Sequence, residues 1–152
     1  MKRKVKHLLL WALGFSAAAC GDDPQVCMYG TPHVDLTASG RVTDTEGVPI
    51  PGIEISRMSP EGGAAGPVAS TDAEGRYELT ASAFPGEPLC LRFTDVDGEA
   101  NGGDFASQDL TLEFTAEDRV KKGEGWNQGS YLRRDVDVRL ECRPDGEPAE
   151  EE

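Results

Sequence analysis

Residues 40–55 read GRVTDTEGVPIPGIEI, two alternating runs on either side of a short polar segment. Alternation of apolar and polar residues has the period of a β-strand, whose successive side chains point to opposite faces. The polar segment Asp44-Thr45-Glu46-Gly47 has the composition of a tight turn, in which glycine supplies a positive φ. The same D-x-E-G pattern returns at Asp72-Ala73-Glu74-Gly75, directly before another alternating run at 76–80. These stretches predict short strands joined by tight turns.

Outward from this stretch, the rest of the chain shows the same alternation. The runs are 36–43, 53–58, 68–71, 76–80, 89–93, 110–114 and 136–140. The run 89–93, for example, places Leu89, Leu91 and Phe93 on one face. No segment keeps a helical period for ten residues, although 116–122 could form one helical turn. Short strands at this spacing predict an all-β fold, an antiparallel β-sandwich of about seven strands with an Ig-like architecture.

Length and charge restrict the class of protein. The chain has 152 residues, with 28 Asp and Glu against 15 Lys and Arg and a formal net charge of −13. This length allows one domain with tails. The acidic excess argues against nucleic acid as a partner, because phosphates bind to basic surfaces. Cationic or metal-ion partners are easier to accommodate.

The first twenty residues are typical of a secretory signal peptide. A basic start at residues 2–6 precedes the apolar run 8–15 and the small residues 16–19. The apolar run is too short to span a bilayer. Cys20, directly after three alanines, resembles the lipidation site of a bacterial lipoprotein, in which the cysteine carries the lipid and becomes the N-terminus. The usual large aliphatic residue three positions before the cysteine is replaced by Ala17.

The predicted organisation follows from this signal. Residues 1–19 are the signal peptide, 20–33 a lipidated tether, 34–142 the β-sandwich and 143–152 an acidic disordered tail. The protein is expected to be exported and anchored in the cell envelope through Cys20, at the outer membrane. The acidic residues of Gly21-Asp22-Asp23 are similar to the surface-export signal of Bacteroidetes lipoproteins, with a solvated tether as the alternative.

Three cysteines follow the predicted anchor: Cys27, Cys90 and Cys142. Export permits disulfides, and an odd number allows at most one bridge within the chain. The pairings Cys27–Cys142 and Cys90–Cys142 are both open, and a free thiol is the expected state of Cys90. A thiolate metal site is poorly supported, because no two cysteines lie two to four residues apart.

The segment 95–104, DVDGEANGGD, is the candidate metal site. Its potential oxygen ligands are Asp95, Asp97, Glu99, Asn101 and Asp104. Calcium prefers several carboxylate and carbonyl oxygens in a glycine-bearing loop. The segment resembles part of an EF-hand loop, but it lacks the glutamate at position twelve and flanking helices. The alternative is a polar loop whose Asp and Asn side chains cap backbone amides.

The sequence offers little for catalysis, and the protein is predicted not to be an enzyme. His33 is the one histidine after the signal, and no nucleophile or zinc-protease motif is present. A small hydrolase that uses the carboxylates of 95–104 is the alternative. Trp126 and Tyr131, in a glycine-rich polar segment, could stack on a sugar or a partner, or Trp126 could cover one end of the sandwich.

Two motifs carry a resemblance to a known family. Residues 40–55 match the pattern G-x-V-x-D followed by G-x-P-[IL]-x-G-[IV]-x-[IV], and Thr71–Tyr77 matches T-D-x-x-G-x-[YF]. Both patterns resemble those of carboxypeptidase-regulatory-like domains. The resemblance implies a transthyretin-like sandwich.

A narrower resemblance covers most of the chain. Tyr29–His33, Asp95–Gly103 and Lys121–Leu140 are similar to Bacteroidetes lipoproteins encoded beside radical SAM enzymes. The resemblance implies a binding or accessory module associated with such an enzyme. The radical SAM signature C-x₃-C-x₂-C is absent, so the chain would be the partner rather than the enzyme. A chain that is itself the substrate of radical SAM modification is the alternative.

Overall fold

The computed structural model describes residues 30–59 and 62–143. The predicted signal peptide, the lipidation site Cys20 and the thiol of Cys27 lie outside these residues, as does the acidic tail from 144 on. Within the described ranges, no helix is long and apolar enough to cross a membrane.

The described residues form nine strands and two short 3-10 turns. The strands are β1 (His33–Thr43), β2 (Glu54–Met58), β3 (Ala64–Ser70), β4 (Arg76–Ala83), β5 (Leu89–Thr94), β6 (Gln108–Leu112), β7 (Arg119–Glu124), β8 (Asn127–Arg133) and β9 (Val138–Arg139). The 3-10 turns are Ala100–Gly102 and Ala116–Asp118.

The strands pair into two sheets that pack face to face, so the prediction of an all-β sandwich is confirmed. One sheet has the order β4-β1-β8-β7, with β9 beside the end of β1, and the other has the order β3-β2-β5-β6. Most neighbours are antiparallel, but β8 and β9 both run parallel to β1. The sequence did not predict these parallel pairs, because the partners lie about ninety positions apart along the chain.

Alternation in the sequence becomes the inner and outer faces of the sheets. Along β4 and β5, every second side chain is buried, and Leu89, Leu91 and Phe93 face inward as predicted. Tyr77 of one sheet and Phe93 of the other meet edge to face, with ring centroids 5.4 Å apart. Offset aromatic contacts of this kind favour packing across a sandwich core. Side chains from both sheets therefore form the core.

The β7–β8 hairpin differs from the prediction, in which 116–122 could form one helical turn and a polar loop follows. The helical turn is limited to Ala116–Asp118, and the chain then continues as β7. Most residues of β7 are exposed on both faces, since it is an edge strand. A strand without a buried face lacks the alternation on which a sequence-based prediction depends. The run 136–140 keeps its predicted buried face, but only Val138 and Arg139 pair with β1, so β9 has two residues, and β6 begins two residues earlier than predicted.

The two D-x-E-G segments form the same turn. In one, the Asp44 carboxylate accepts the N–H groups of Glu46 and Val48, both at 2.8 Å. In the other, Asp72 accepts the N–H groups of Glu74 and Arg76 at 3.0 and 2.8 Å. Asparagine and aspartate favour such turns because their short side chains bond the backbone two residues ahead. The predicted turns are confirmed. The first follows β1, and the second lies between β3 and β4.

Candidate binding surface at the N-terminal end of the sandwich

Asp95 organises the segment that was predicted to bind calcium. Its Oδ1 accepts the N–H groups of Asp97 and Gly98, both at 3.1 Å, and its Oδ2 accepts the N–H of Phe105 at 3.0 Å. Partial burial, opposed by these N–H groups and aided by the neighbouring carboxylate of Asp97, raises the pKa of Asp95. The carboxylate therefore closes a backbone loop.

Of the other predicted ligands, Asp97, Asn101 and Asp104 are engaged in different directions, and Glu99 is exposed. The Asn101 amide donates to the Asp97 carboxylate, and the Asp104 carboxylate pairs with the guanidinium of Arg143 at 3.1 Å. Among the described residues, no group of three or more His, Cys, Asp or Glu side chains is arranged to hold a metal ion. This geometry corresponds to the alternative considered for the sequence, in which the polar side chains cap backbone amides.

Among the described residues, neither Cys90 nor Cys142 has a disulfide partner. The Sγ of Cys90 lies 3.7 Å from the Thr111 hydroxyl on the outer face of its sheet, near the start of β5. Cys142 is exposed and pairs with Phe105, which in turn is bonded to Asp95 beyond the end of β5. The length of β5 thus separates the two thiols, whereas a disulfide needs Cα atoms about 4.4–6.8 Å apart. The bridge Cys90–Cys142 is not formed, and pairing of Cys142 with Cys27 stays a prediction.

Trp126 lies at the tip of the β7–β8 hairpin and packs on the chain as it enters β1. Its carbonyl accepts the His33 N–H at 2.9 Å, and a Cβ added to Gly30 would lie only 2.6 Å from its ring. The ring is half-buried, and its Nε1–H has no hydrogen-bond partner within the described part of the chain. These contacts favour the role of covering one end of the sandwich over that of an open stacking platform.

A groove of about 570 Å³ opens at this same end. It is lined by Thr31–His33 as the chain enters, by Met58 at the end of β2, and by Phe84 after β4. Phe84 is 54% exposed, on a turn closed by the Glu87 N–H, which donates to the Phe84 carbonyl at 3.1 Å. An exposed phenylalanine beside an apolar groove is a common feature of binding surfaces.

The groove contains two charged groups whose positions are set by the backbone. The guanidinium of Arg57 donates to the carbonyl of Ser82 at 2.6 Å. The carboxylate of Glu87 accepts the Phe84 N–H at 3.2 Å. Both charged groups are thus bonded to backbone, and the lining also includes the apolar side chains of Met58, Ala83 and Phe84. The sequence reading did not identify this surface, since Phe84 and Met58 lie apart along the chain and neither belongs to a motif.

A second cleft, of about 620 Å³, lies at the opposite end and is polar. Arg41, Arg76 and Arg134 alternate there with Asp72 and Asp137. Arg76 is already paired with Asp72 at 3.1 Å. The backbone N–H of Arg76, together with its guanidinium, holds the pKa of Asp72 below its usual range. Glu78 and Asp135 also line this cleft, so acidic and basic side chains are mixed there.

Comparison with known proteins identifies no family. No model of a known protein family matches the chain, and no curated protein sequence is significantly similar to it. Among solved structures, the chain is similar to one titled "The Bacillus anthracis TIE protein", with 13% identity and a TM-score of 0.43. The similarity covers 73% of this chain but only 17% of that one. It carries no information on function.

Proposed function

We propose that the protein is a lipid-anchored lipoprotein of the cell envelope, at the outer membrane, whose sandwich is a binding or accessory module associated with a radical SAM enzyme. The groove beside Phe84 is the observation that carries this proposal. It supplies a concave apolar surface of a size suited to a protein side-chain cluster or a small ligand. The anchor and the enzyme partner rest on the sequence resemblances.

The position of the groove supports the proposal. His33 begins β1, and Val34 pairs with Ala83, the residue before Phe84. The exposed aromatic ring therefore lies at the end of the sandwich where the chain arrives from Cys20. A partner held at the same membrane would meet this end first.

The anchor is tested by the mass and location of the mature protein. In a Gram-negative host, we expect the wild-type chain to gain the mass of a lipidated cysteine after loss of residues 1–19 and to fractionate with membranes. The variant Cys20→Ser should lose both properties while it keeps the folded sandwich. A soluble wild-type protein with an unmodified cysteine would contradict the anchor.

Binding is tested with two matched variants. Phe84→Ala removes a ring that is 54% exposed at the groove, and Val48→Ala shortens a side chain that is 53% exposed at the opposite end. With a purified radical SAM enzyme encoded beside this chain, we expect Phe84→Ala to raise the Kd by about tenfold or more, as for an aromatic anchor in an interface. Val48→Ala should leave the Kd unchanged. Equal effects of the two variants would exclude the groove as the binding surface.

The same preparation separates a partner from a substrate. A chain modified by the enzyme would change in mass after incubation with the enzyme and its reductant, whereas a binding module would not. An intact mass equal to lipid plus unaltered chain supports the accessory role.

A further inference from the structure

The four sheet edges differ in how they are protected from pairing with other chains. An open edge presents unpaired N–H and C=O groups, and proteins block it with bulges, proline, lysine or a covering side chain. The edge strand β3 contains Pro67, a Gly66 with φ of 95°, and two register shifts against β2. The edge strand β4 has its Ser82 carbonyl occupied by Arg57. On this side of the sandwich, β3 is therefore interrupted along its length, and β4 is occupied at its Ser82 end.

On the other side, only β7 is protected. It carries the exposed side chains of Lys121 and Lys122 and a register shift at Val120. Antiparallel self-pairing about its centre would place lysine opposite lysine. By contrast, β6 pairs with β5 in unbroken register and contains no glycine, proline or lysine. Within 30–59 and 62–143, no other strand pairs with β6.

The groups at the free edge of β6 follow from the alternation of hydrogen bonds. The N–H of Thr71 donates to the Ile53 carbonyl, so Ile53 points toward β3. In an antiparallel sheet, neighbouring residues of a strand point their backbone groups to opposite sides. Glu54 and Ser56 therefore point toward β5.

The directions of the backbone groups of β5 and β6 follow from the same alternation. Arg92 is the partner of Ser56 and points toward β2, so Leu91 points toward β6. Leu110 is the partner of Leu91 and points back toward β5. The N–H and C=O groups of Asp109 and Thr111 consequently face the open edge.

We infer that β6 is a self-association surface, on which a second copy of this chain pairs in antiparallel fashion about a two-fold axis at Leu110. In this register Asp109 of one copy lies opposite Thr111 of the other, and the four donors and four acceptors of the two edges are all used. The two four-stranded sheets become one sheet of eight strands. The occupant is a second copy because the strand is complementary to itself, as an isologous contact requires.

Charge and side-chain chemistry fit this register. The carboxylate of Asp109 is neutralised within its own chain by the guanidinium of Arg92, at 2.7 and 3.0 Å. Its counterpart across the axis is an uncharged threonine, so no like charges face each other. The half-buried Leu110 lies opposite itself on the inner face, where each side chain covers the exposed part of the other. This contact does not depend on the lipid anchor or on the groove.

Cross-linking tests the register. The two copies of Leu110 would form a non-hydrogen-bonded pair with Cα atoms about 4.5 Å apart, which is within the range of a disulfide. In the mature-length chain with serine at Cys20, Cys27, Cys90 and Cys142, we expect Leu110→Cys to form a covalent dimer on mild oxidation. Val120→Cys, 63% exposed on β7, is the matched control and should stay monomeric. Equal cross-linking of both variants, or of neither, would overturn the inference.

Sedimentation of the unlabelled protein gives an independent test. Thr111→Pro removes the edge N–H at a position where proline is tolerated in an edge strand. We expect the wild type to dimerise reversibly, and the variant to raise the dimer Kd by about tenfold or more, since two hydrogen bonds are lost across the axis. Circular dichroism checks that the variant is folded. A wild type that is monomeric at millimolar concentration, or one that dimerises equally well with proline at this position, would refute the proposed contact. Binding of an added strand peptide without self-association would also refute it, in favour of a different occupant.

Discussion

Thr71 connects the two ends of the segment that precedes β2. Its side chain is 6% exposed, and its hydroxyl donates to the Ile50 carbonyl at 2.8 Å while it accepts the Ile53 N–H at 2.9 Å. Both backbone groups lie in the core, where an unpaired donor or acceptor loses its hydration without compensation. One hydroxyl thus satisfies two buried groups that no regular strand pairing reaches.

Replacement of the Thr71 hydroxyl should lower the stability of the folded protein. We expect Thr71→Val to lower the free energy of unfolding by about 1–3 kcal/mol, because it leaves a buried N–H and a buried C=O unpaired. The matched control is Thr80→Val, since the Thr80 hydroxyl bonds to that of Thr37 on the exposed outer face. The control should change stability by less than about 0.5 kcal/mol. Urea unfolding of both variants measures the difference, and similar midpoints would contradict the role of Thr71.

Gly40 of β1 allows the backbone at Val136 to pass close to this strand. A Cβ at this position would lie 2.0 Å from the Val136 carbonyl oxygen, which also accepts the buried Tyr77 hydroxyl at 2.7 Å. We expect Gly40→Ala to cost about 3 kcal/mol or more, since backbone rather than a side chain must move. Gly63→Ala is the control, because nothing lies within 4 Å of its added Cβ. Thermal melting that finds the two variants equally stable would exclude the crossing as a constraint.

At the scale of elements, Asp118 fastens the β7–β8 hairpin to the segment before it. Its carboxylate accepts the Thr115 N–H at 2.8 Å and pairs with the Arg133 guanidinium at 2.8 Å. The Arg133 guanidinium, in turn, lies over the ring of Phe114 at 5.5 Å. The bond from Arg133 and the bond from the Thr115 N–H together hold the pKa of Asp118 below its ordinary value of 3.8.

The sign of this shift predicts a dependence of stability on pH. A carboxyl whose pKa is lower in the folded state stabilises the fold above its unfolded pKa, and this contribution is lost as pH falls through the folded pKa. We expect Asp118→Asn to be about 1 kcal/mol less stable than wild type near pH 7, and the gap to close in acid as the pH falls through the lowered folded-state pKa. Glu117→Gln, on the same turn, is the control. A gap that is constant from neutral to acid pH would show that the charge is not the cause.

The loop of residues 95–104 allows a test with calcium. A bound ion stabilises the folded state by mass action and raises the Tm. Because the carboxylate of Asp95 is bonded to backbone N–H groups and that of Asp104 to Arg143, we expect the Tm in millimolar calcium to equal that in EDTA. A rise that is abolished by Asp97→Asn would contradict this expectation and restore the metal site suggested by the sequence.

At the scale of the whole molecule, the two sheets share one core. Buried side chains from both sheets form a single cluster that includes Leu36, Ile55, Tyr77 and Phe93. Neither sheet buries its inner face without the other, so neither is expected to unfold alone. The groove beside Phe84 and the open edge of β6 are both surfaces of this one unit.

A shared core predicts a single unfolding transition. In a chain that begins at residue 20, Trp126 is the sole tryptophan, and it reports on the end where the chain enters β1. We expect its fluorescence and the far-ultraviolet circular dichroism to change together in urea, as two-state unfolding requires. A fluorescence transition at a clearly lower urea concentration would show that this end of the sandwich opens separately.

Features encoded by neighbouring residues could be predicted. The alternation at 76–80 and 89–93 gives one buried face per strand, and the D-x-E-G segments form turns through contacts only two to four residues long. Of the candidate site, the oxygen-rich loop was located but its carboxylates could not be oriented. Whether the Asp95 carboxylate faces solvent or the Phe105 N–H depends on the path of the loop between these two residues.

The all-β class, most of the strands and the turns between them follow from the order of the residues, because period and turn chemistry are local properties. The parallel course of β8 and β9 beside β1, the apolar groove at Phe84 and the edge position of β6 became known only from the folded chain. These features are contacts between residues far apart along the chain. The free energy of these contacts depends on which sheet edges and loop ends meet. A local pattern of residues carries no information about such long-range pairing.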